Sequence, residues 1–338
     1  MHQEDKIAKP VAHGRIAWCD WAKAILIFFM VLCHAGLRGV SREIIYSFHM
    51  PAFFIISGYL FHPKDWKSVV IPFIAPVLFF SLIVGCSDVI RLFAKGEGVP
   101  VLAYFVKAVP GYWKFSPPYL FPGFWFIFCL ITARLVLGIA WVRRNSLVVA
   151  LFCILFMFAD PWIERQVRLS PWYIHRTIAA LAFMIVGLHW KQNGLPRLTF
   201  VSKMILLVCW LGLVRMNEHI DIFMNDYGRI HFSSFFVAAV LGSLLFFSLC
   251  DILPRNSLVE HFSSGTLVTF GLHMPLVVFF YHLLGFLGMQ SRNPRAFVIA
   301  IFVHAVCICF IVFFNRHAPV LLGKQLRRSP KHIHQSAP

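Results

Sequence analysis

The sequence predicts an all-α, polytopic membrane bundle of about ten transmembrane helices. Three observations predict it. The chain is 59% hydrophobic and only 13% charged, where a soluble domain carries about 25% charge. Its mean hydropathy is +0.75. Its apolar runs reach about 20 residues, the length a helix needs to cross a bilayer, whereas barrel strands would be about 10 residues with alternating polarity.

Ten runs qualify as helices: 21–38, 44–61, 69–90, 123–142, 146–162, 173–190, 199–214, 229–250, 265–288 and 295–315. Residues 1–15 are polar and mixed in charge. The run after them is too long for a signal-peptide core and has no small-residue cleavage site, so it reads as a retained helix. One membrane domain spans 1–318, followed by a basic tail over 319–338. An even helix number puts both termini on one side. The basic residues of the termini and alternate loops, among them Arg143, Arg144, Arg327, Arg328 and Lys331, make that side cytoplasmic, which in a bacterium means the inner membrane with both ends inside.

The net charge of +17 sits mostly in short loops between apolar runs. That distribution argues against a nucleic-acid partner and for anionic lipid headgroups or an anionic ligand. The nine cysteines show no metal-ligand or disulfide spacing and read as small buried hydrophobes. No metal site is expected.

The first helix carries the most informative pattern. With about 100° per residue and His34 as origin, Lys23 falls about 20° to one side, and Asp20 and Arg38 about 40° to the other. One polar stripe on an otherwise apolar helix has to face protein or water. Asp20 and His34 are separated by about 21 Å along the axis, so Asp20 and Lys23 lie near the inner surface and His34 toward the outer half. In the second helix His49, Phe53 and Ser57 share a face, and Pro51 should kink the helix by leaving the Ser47 carbonyl unpaired. His34 and His49 then come to similar depth.

The long connection 91–122 holds Pro100, Pro110, Pro117, Pro118 and Pro122 among Tyr104, Tyr112, Trp113 and Tyr119. It reads equally as a lid with sugar-stacking faces or as interfacial anchors.

The stretch DWAKAILIFFMVLCH (20–34) resembles the first-helix motif of the membrane-bound acyltransferase-3 family, and FHMPAFFIISGYLF (48–61) resembles that family's second-helix motif. The similarity continues in order through Lys64, Lys67 and Pro72, GFWFIFCLI (123–131), Arg176, FMIVGL (183–188) and GLHMPLV (271–277). The resemblance implies transfer of an acyl group, usually acetyl, from acetyl-CoA or another acyl-CoA to a sugar hydroxyl of an exopolysaccharide, O-antigen or other envelope glycan. It carries over His34 as the essential histidine, and Asp20, Lys23, His49, Lys67 and Arg176 as site residues. The chain departs from the family pattern where Lys23 is followed by Ala24, and in having Lys64 and Lys67. A lysine is a point charge without the planar fork of arginine.

The chemistry follows from these residue types. Arg15, Lys23, Lys64 and Lys67 near the inner surface, with Asp20 beside them, suit the phosphates of an acyl-CoA donor. His34 suits the base that takes the acceptor hydroxyl's proton, or a covalent relay that carries the acyl group itself. Arg176, entering from outside at the depth of His34, suits the developing oxyanion, with Ser57 as a further donor. The competing class is a polysaccharide or small-molecule exporter, favoured by the repeated His-Met-Pro triplet at 49–51 and 273–275 and disfavoured by the lack of wider half-to-half similarity.

Overall fold

A computed structural model of the chain describes residues 15–96, 125–167, 174–217 and 232–324. The described residues are helical, with no strand. Helix α1 is Ala17–His34, α2 Val40–Tyr46, α3 His49–Tyr59 and α4 Trp66–Ala94. Then come α5 Trp125–Gly138, α6 Ala140–Arg144, α7 Ser146–Val167, α8 Ile174–Asn193 and α9 Phe200–Asn217. The last are α10 Phe232–Cys250, α11 Ser257–Ser264, α12 Thr266–Phe286 and α13 Arg292–His317.

Each expected apolar run holds helix. Among the described residues six helices are long and apolar enough to cross a membrane: α1, α4, α9, Ser233–Cys250 of α10, α12 and α13. The count of ten crossings is therefore not established. The second run shows why. It breaks at Ser47–Phe48 into α2 and α3, and α3, with 11 residues, is about 16 Å long against a hydrocarbon core of about 30 Å. Pro51 does not kink a continuous helix. It sits in the first turn of α3, where the missing N–H has no partner to lose. The break is held from outside: the Trp210 indole donates to Ser47 Oγ at 3.0 Å, and Ser47 Oγ donates to the Ile44 carbonyl at 2.7 Å.

Helix α1 begins and ends about four residues earlier than the apolar run suggests. Asp20 lies in its first turn, where a carboxylate faces the positive helix end. His34 is its last residue, because the chain turns away through Ala35 and Gly36, which has φ +103°. Arg38 therefore does not extend the polar stripe. Its backbone N–H and carbonyl instead pair with the Asn293 side chain of α13.

The bundle has two apolar cores with α1 between them. Trp18, Cys19, Ala22 and Leu26 pack with α3, α5, α7, α8 and α10. Ile27, Met30, Val31 and Cys33 pack with α4, α12 and α13. Short α3 is clamped to α8 by backbone proximity: a Cβ on Gly58 would collide with the Met184 backbone, and one on Gly187 with the backbone of Ile55 and Tyr59. Small residues of this kind let membrane helices approach closely. Outward-facing Leu78, Phe152, Val208, Phe286 and Phe313 are exposed. On a soluble monomer they would be an aggregation liability; here they are the lipid-facing coat.

Residues 97–124, with most of the proline- and tyrosine-rich connection, lie outside the described residues, as does the tail beyond 324. The first tail residues belong to the bundle: Pro319–Leu322 form a 3-10 turn with Leu322 buried, and Gly323 lies against Pro72 of α4.

Candidate active site

At the start of α1 a buried carboxylate organises the cations. Asp20 is 5% exposed. Arg15 donates to it through Nε and Nη2, each at 3.2 Å. Ser263 Oγ donates to it at 2.6 Å, and Lys23 Nζ lies 3.9 Å away. The hydrogen bond to Asp20 raises the pKa of the Arg15 guanidinium above its ordinary value. Arg15 is further held by the Glu260 carbonyl at 2.6 Å, while Arg255 donates to the Arg15 carbonyl at 2.8 Å. Asp20 thus aims two cations and is not itself an anion-binding group.

Two cavities share part of their walls here. The larger, of about 840 Å³, is lined by Arg15, Asp20, Lys23, His62, Lys191 and Lys324 among others. Lys191 Nζ donates to the Phe61 carbonyl at 2.5 Å and lies 3.1 Å from His62 Nε2. His62 Nδ1 lies 3.1 Å from the Leu60 carbonyl. A carbonyl can only accept, so that nitrogen carries the proton and Nε2 accepts from Lys191. The smaller cavity, of about 250 Å³, runs along the seam between the two cores. Ile27, Met30, Met50, Phe53, Phe126 and Phe270 line it, with Lys23, Ser57 and Arg134 as its polar groups. Lys23 and Leu60 line both. Arg134 Nη1 donates to Ser57 Oγ at 3.2 Å and its guanidinium lies 5.8 Å from the Phe61 ring centroid.

At the other end of α1, His34 is exposed, and its ring centroid lies 5.1 Å from that of buried His273 on α12. His49 is buried at the start of α3. Its Nδ1 is 2.9 Å from the Ile45 carbonyl, and its ring lies 5.2 Å from Tyr46. Arg176 is buried near the start of α8. The two helices run parallel, with Gly58 beside Met184 and Phe61 beside Lys191. Arg176 therefore comes level with the His49–Met50 turn, about 12 Å from the Gly58 level.

The expected site residues thus divide by place. Arg15, Asp20 and Lys23 share the basic cavity. His34, His49 and Arg176 belong to the opposite end. Lys64 and Lys67 line neither cavity: both are exposed, and the Lys67 ammonium lies 5.7 Å from the Trp66 ring. Ser57 faces Arg134, about 12 Å along α3 from His49, and so lies away from the histidines. Sequence reasoning passed over Ser263, Arg134, Lys191, His62 and His273. Arg134 had a visible signal, being the one charge within Trp125–Gly138. Ser263 and His62 had none, since only folding gives them their partners.

Among the described residues no group of three or more His, Cys, Asp or Glu side chains is placed to hold a metal. The family model described as an acyltransferase domain matches residues 16–314. No curated protein and no solved structure matches the chain.

Proposed function

The chain belongs to the acyltransferase-3 family, and from that premise we propose that this membrane acyltransferase moves an acetyl group from acetyl-CoA to a sugar hydroxyl of a bacterial envelope glycan. The observation that carries the reading is the pair of neighbouring cavities that share Lys23 and Leu60 in their walls. A basic chamber beside a smaller apolar one suits a donor with an anionic, phosphate-bearing head and a thin uncharged thioester arm.

In this reading Arg15, Lys23 and Lys191 hold the phosphates at the cytoplasmic face of the inner membrane. Asp20 keeps Lys23 and Arg15 aimed, and Arg134 takes a carbonyl of the arm inside the apolar chamber. The arm points along α1 toward His34, about 16 Å beyond Lys23. His34 accepts the proton of the attacking hydroxyl, the oxygen–acyl bond forms, the carbon–sulfur bond breaks, and the proton passes to the departing thiolate. A base of this kind contributes about 10²–10⁴-fold. Arg176, level with the His49 turn, donates toward the oxyanion. Lys64 and Lys67, outside both cavities, are left as surface cations facing lipid headgroups.

The test is mass spectrometry of purified envelope polysaccharide from cells making wild type, His34→Ala at matched membrane level, or no protein. Acetyl groups present only with wild type support the reading, and the modified glycan names the acceptor. Full acetylation with His34→Ala removes the catalytic role of His34. Unchanged acetylation with less surface polymer in cells lacking the protein replaces acyl transfer by export.

A further inference from the structure

We infer that His273 is the positioning partner of His34, a fixed neutral acceptor that selects the ring tautomer in which His34 acts as base; this rests on the acyl-transfer reading above. His273 is 1% exposed. Its Nδ1 lies 2.7 Å from the Phe270 carbonyl. The carbonyl can only accept, so Nδ1 carries the proton and Nε2 carries a lone pair. That Nε2 is buried and has no hydrogen-bond partner. An orphaned buried acceptor is costly and calls for an explanation.

The donor within reach is His34. The two ring centroids are 5.1 Å apart with planes inclined at 50°, a spacing at which ring nitrogens turned toward each other come to about 3 Å. His34 is free to make that rotation because it is exposed. His273 is not, being locked by its backbone hydrogen bond and by the Phe270 ring at 5.9 Å. Once one His34 nitrogen donates its proton to His273 Nε2, the other must carry the lone pair. It then faces the cleft as the base. When it takes the hydroxyl proton, the imidazolium stays hydrogen-bonded to His273 until the proton leaves with the thiolate, so no proton need pass to His273.

Among the described residues the charged and titratable groups around this pair are few. Arg42 from α2 acts on His34. His34 from α1 and His304 from α13 act on His273, and His49 from α3 lies within electrostatic reach of His34. Among these groups no carboxylate competes for the role.

The same arrangement occurs in the first His-Met-Pro triplet: His49 Nδ1 lies 2.9 Å from the Ile45 carbonyl, one turn back. In both triplets the backbone fixes the proton on Nδ1. Of the two triplets only the second leaves its Nε2 buried without a partner; His304 Nε2 on α13 is also unpartnered, but its ring lies against Phe28 and Phe262, so His273 is the one assigned to His34.

The experiment measures thiol release from acetyl-CoA by the full chain in lipid nanodiscs, with envelope glycan extracted from the producing cells as acceptor. The proteins are wild type, His34→Ala, His273→Leu and His273→Gln, the last keeping an acceptor near the Nε2 position. His273→Leu should lower kcat by about 10- to 100-fold, less than the 10⁴ that follows loss of an anionic orienting partner in a Ser-His-Asp triad. KM for acetyl-CoA should stay within about twofold, because the donor head is bound at the other end of α1. The acid limb of the kcat–pH profile should move to lower pH, since the His34 imidazolium loses an acceptor. His273→Gln should recover most of kcat and the position of the limb. Wild-type kcat and limb in His273→Leu overturn the inference, as does equal loss in both variants with an unmoved limb, which is the mark of packing alone. If His34→Ala matches wild type, it is the acyl-transfer reading that falls.

Discussion

Ser263 Oγ donates a 2.6 Å hydrogen bond to Asp20 Oδ1, joining residues 243 positions apart. The bond ties the first helix to α11, and through it to the second core. It also helps keep an ionised carboxylate buried beside Lys23. A hydrogen bond to a charged acceptor is worth about 1.5–3 kcal/mol, so Ser263→Ala should lower the melting temperature of the nanodisc-embedded protein. Asp20→Asn keeps the shape and an acceptor but removes the charge that aims Lys23 and Arg15. It should raise KM for acetyl-CoA about tenfold, a cost of about 1.4 kcal/mol, with a smaller effect on kcat. An unchanged KM would separate the Asp20 cluster from donor binding.

Arg134 should matter to the donor as well. Its hydrogen bond to Ser57 and its place in the apolar cavity put a cation where the thioester arm would run. Arg134→Met keeps much of the apolar stem and loses the donors. Steady-state kinetics should show acetyl-CoA KM rising about 10- to 100-fold, in line with the loss of one hydrogen bond from a charged group. Arg134→Lys should recover part of it. Equal kinetics in all three proteins would leave Arg134 a structural residue.

The α3–α8 contact should tolerate no side chain. Gly58→Ala or Gly187→Ala places a Cβ against backbone atoms of the facing helix, and backbone cannot swing aside as a flexible side chain can. Each change should cost about 3 kcal/mol or more, read as lost membrane-inserted protein or a lower melting temperature. Gly138→Ala, where no atom lies within 4 Å of the new Cβ, is the control and should leave both unchanged.

The start of α4 should be sensitive to acid. Asp65 caps the helix, accepting from the Ser68 N–H at 3.0 Å and the Ser68 hydroxyl at 2.7 Å. These bonds hold its pKa below the ordinary 3.8. A depressed pKa means stability that is complete above the unfolded value and lost as pH falls through the lower folded value. Hydrogen exchange at the first turn of α4 should therefore quicken below about pH 4. Asp65→Asn, which also caps well, should remove that pH dependence. Dependence that survives in Asp65→Asn would assign it to another group.

Much of this protein was legible before folding. The apolar runs located the long helices, because burial in lipid demands continuous hydrophobicity and satisfied backbone, which leaves a strong local signal; the short polar α11 at Ser257–Ser264 lay outside every run. Asp20, Lys23 and His34 stood out because charge inside such a run is costly and needs a reason. What the local signal could not carry was where a run stops being one helix. Pro51 suggested a kink. The break at Ser47–Phe48 depends on Trp210, 163 residues away. Arg38 fitted the helical stripe by angle, and Gly36 and the Asn293 contact took it off.

Residue types and spacing on α1 were set by the sequence alone, and so was the polarity of its two ends. Only the tertiary structure decided which residues complete each end. Ser263 and Lys191 join the Asp20–Lys23 end, His273 joins His34, and Lys64 and Lys67 are left outside both cavities. The physical reason is range. Hydrophobic periodicity is a property of neighbours in the chain, whereas a hydrogen bond or ring contact belongs to groups brought together by packing, and α1 makes those contacts with segments more than 200 residues away.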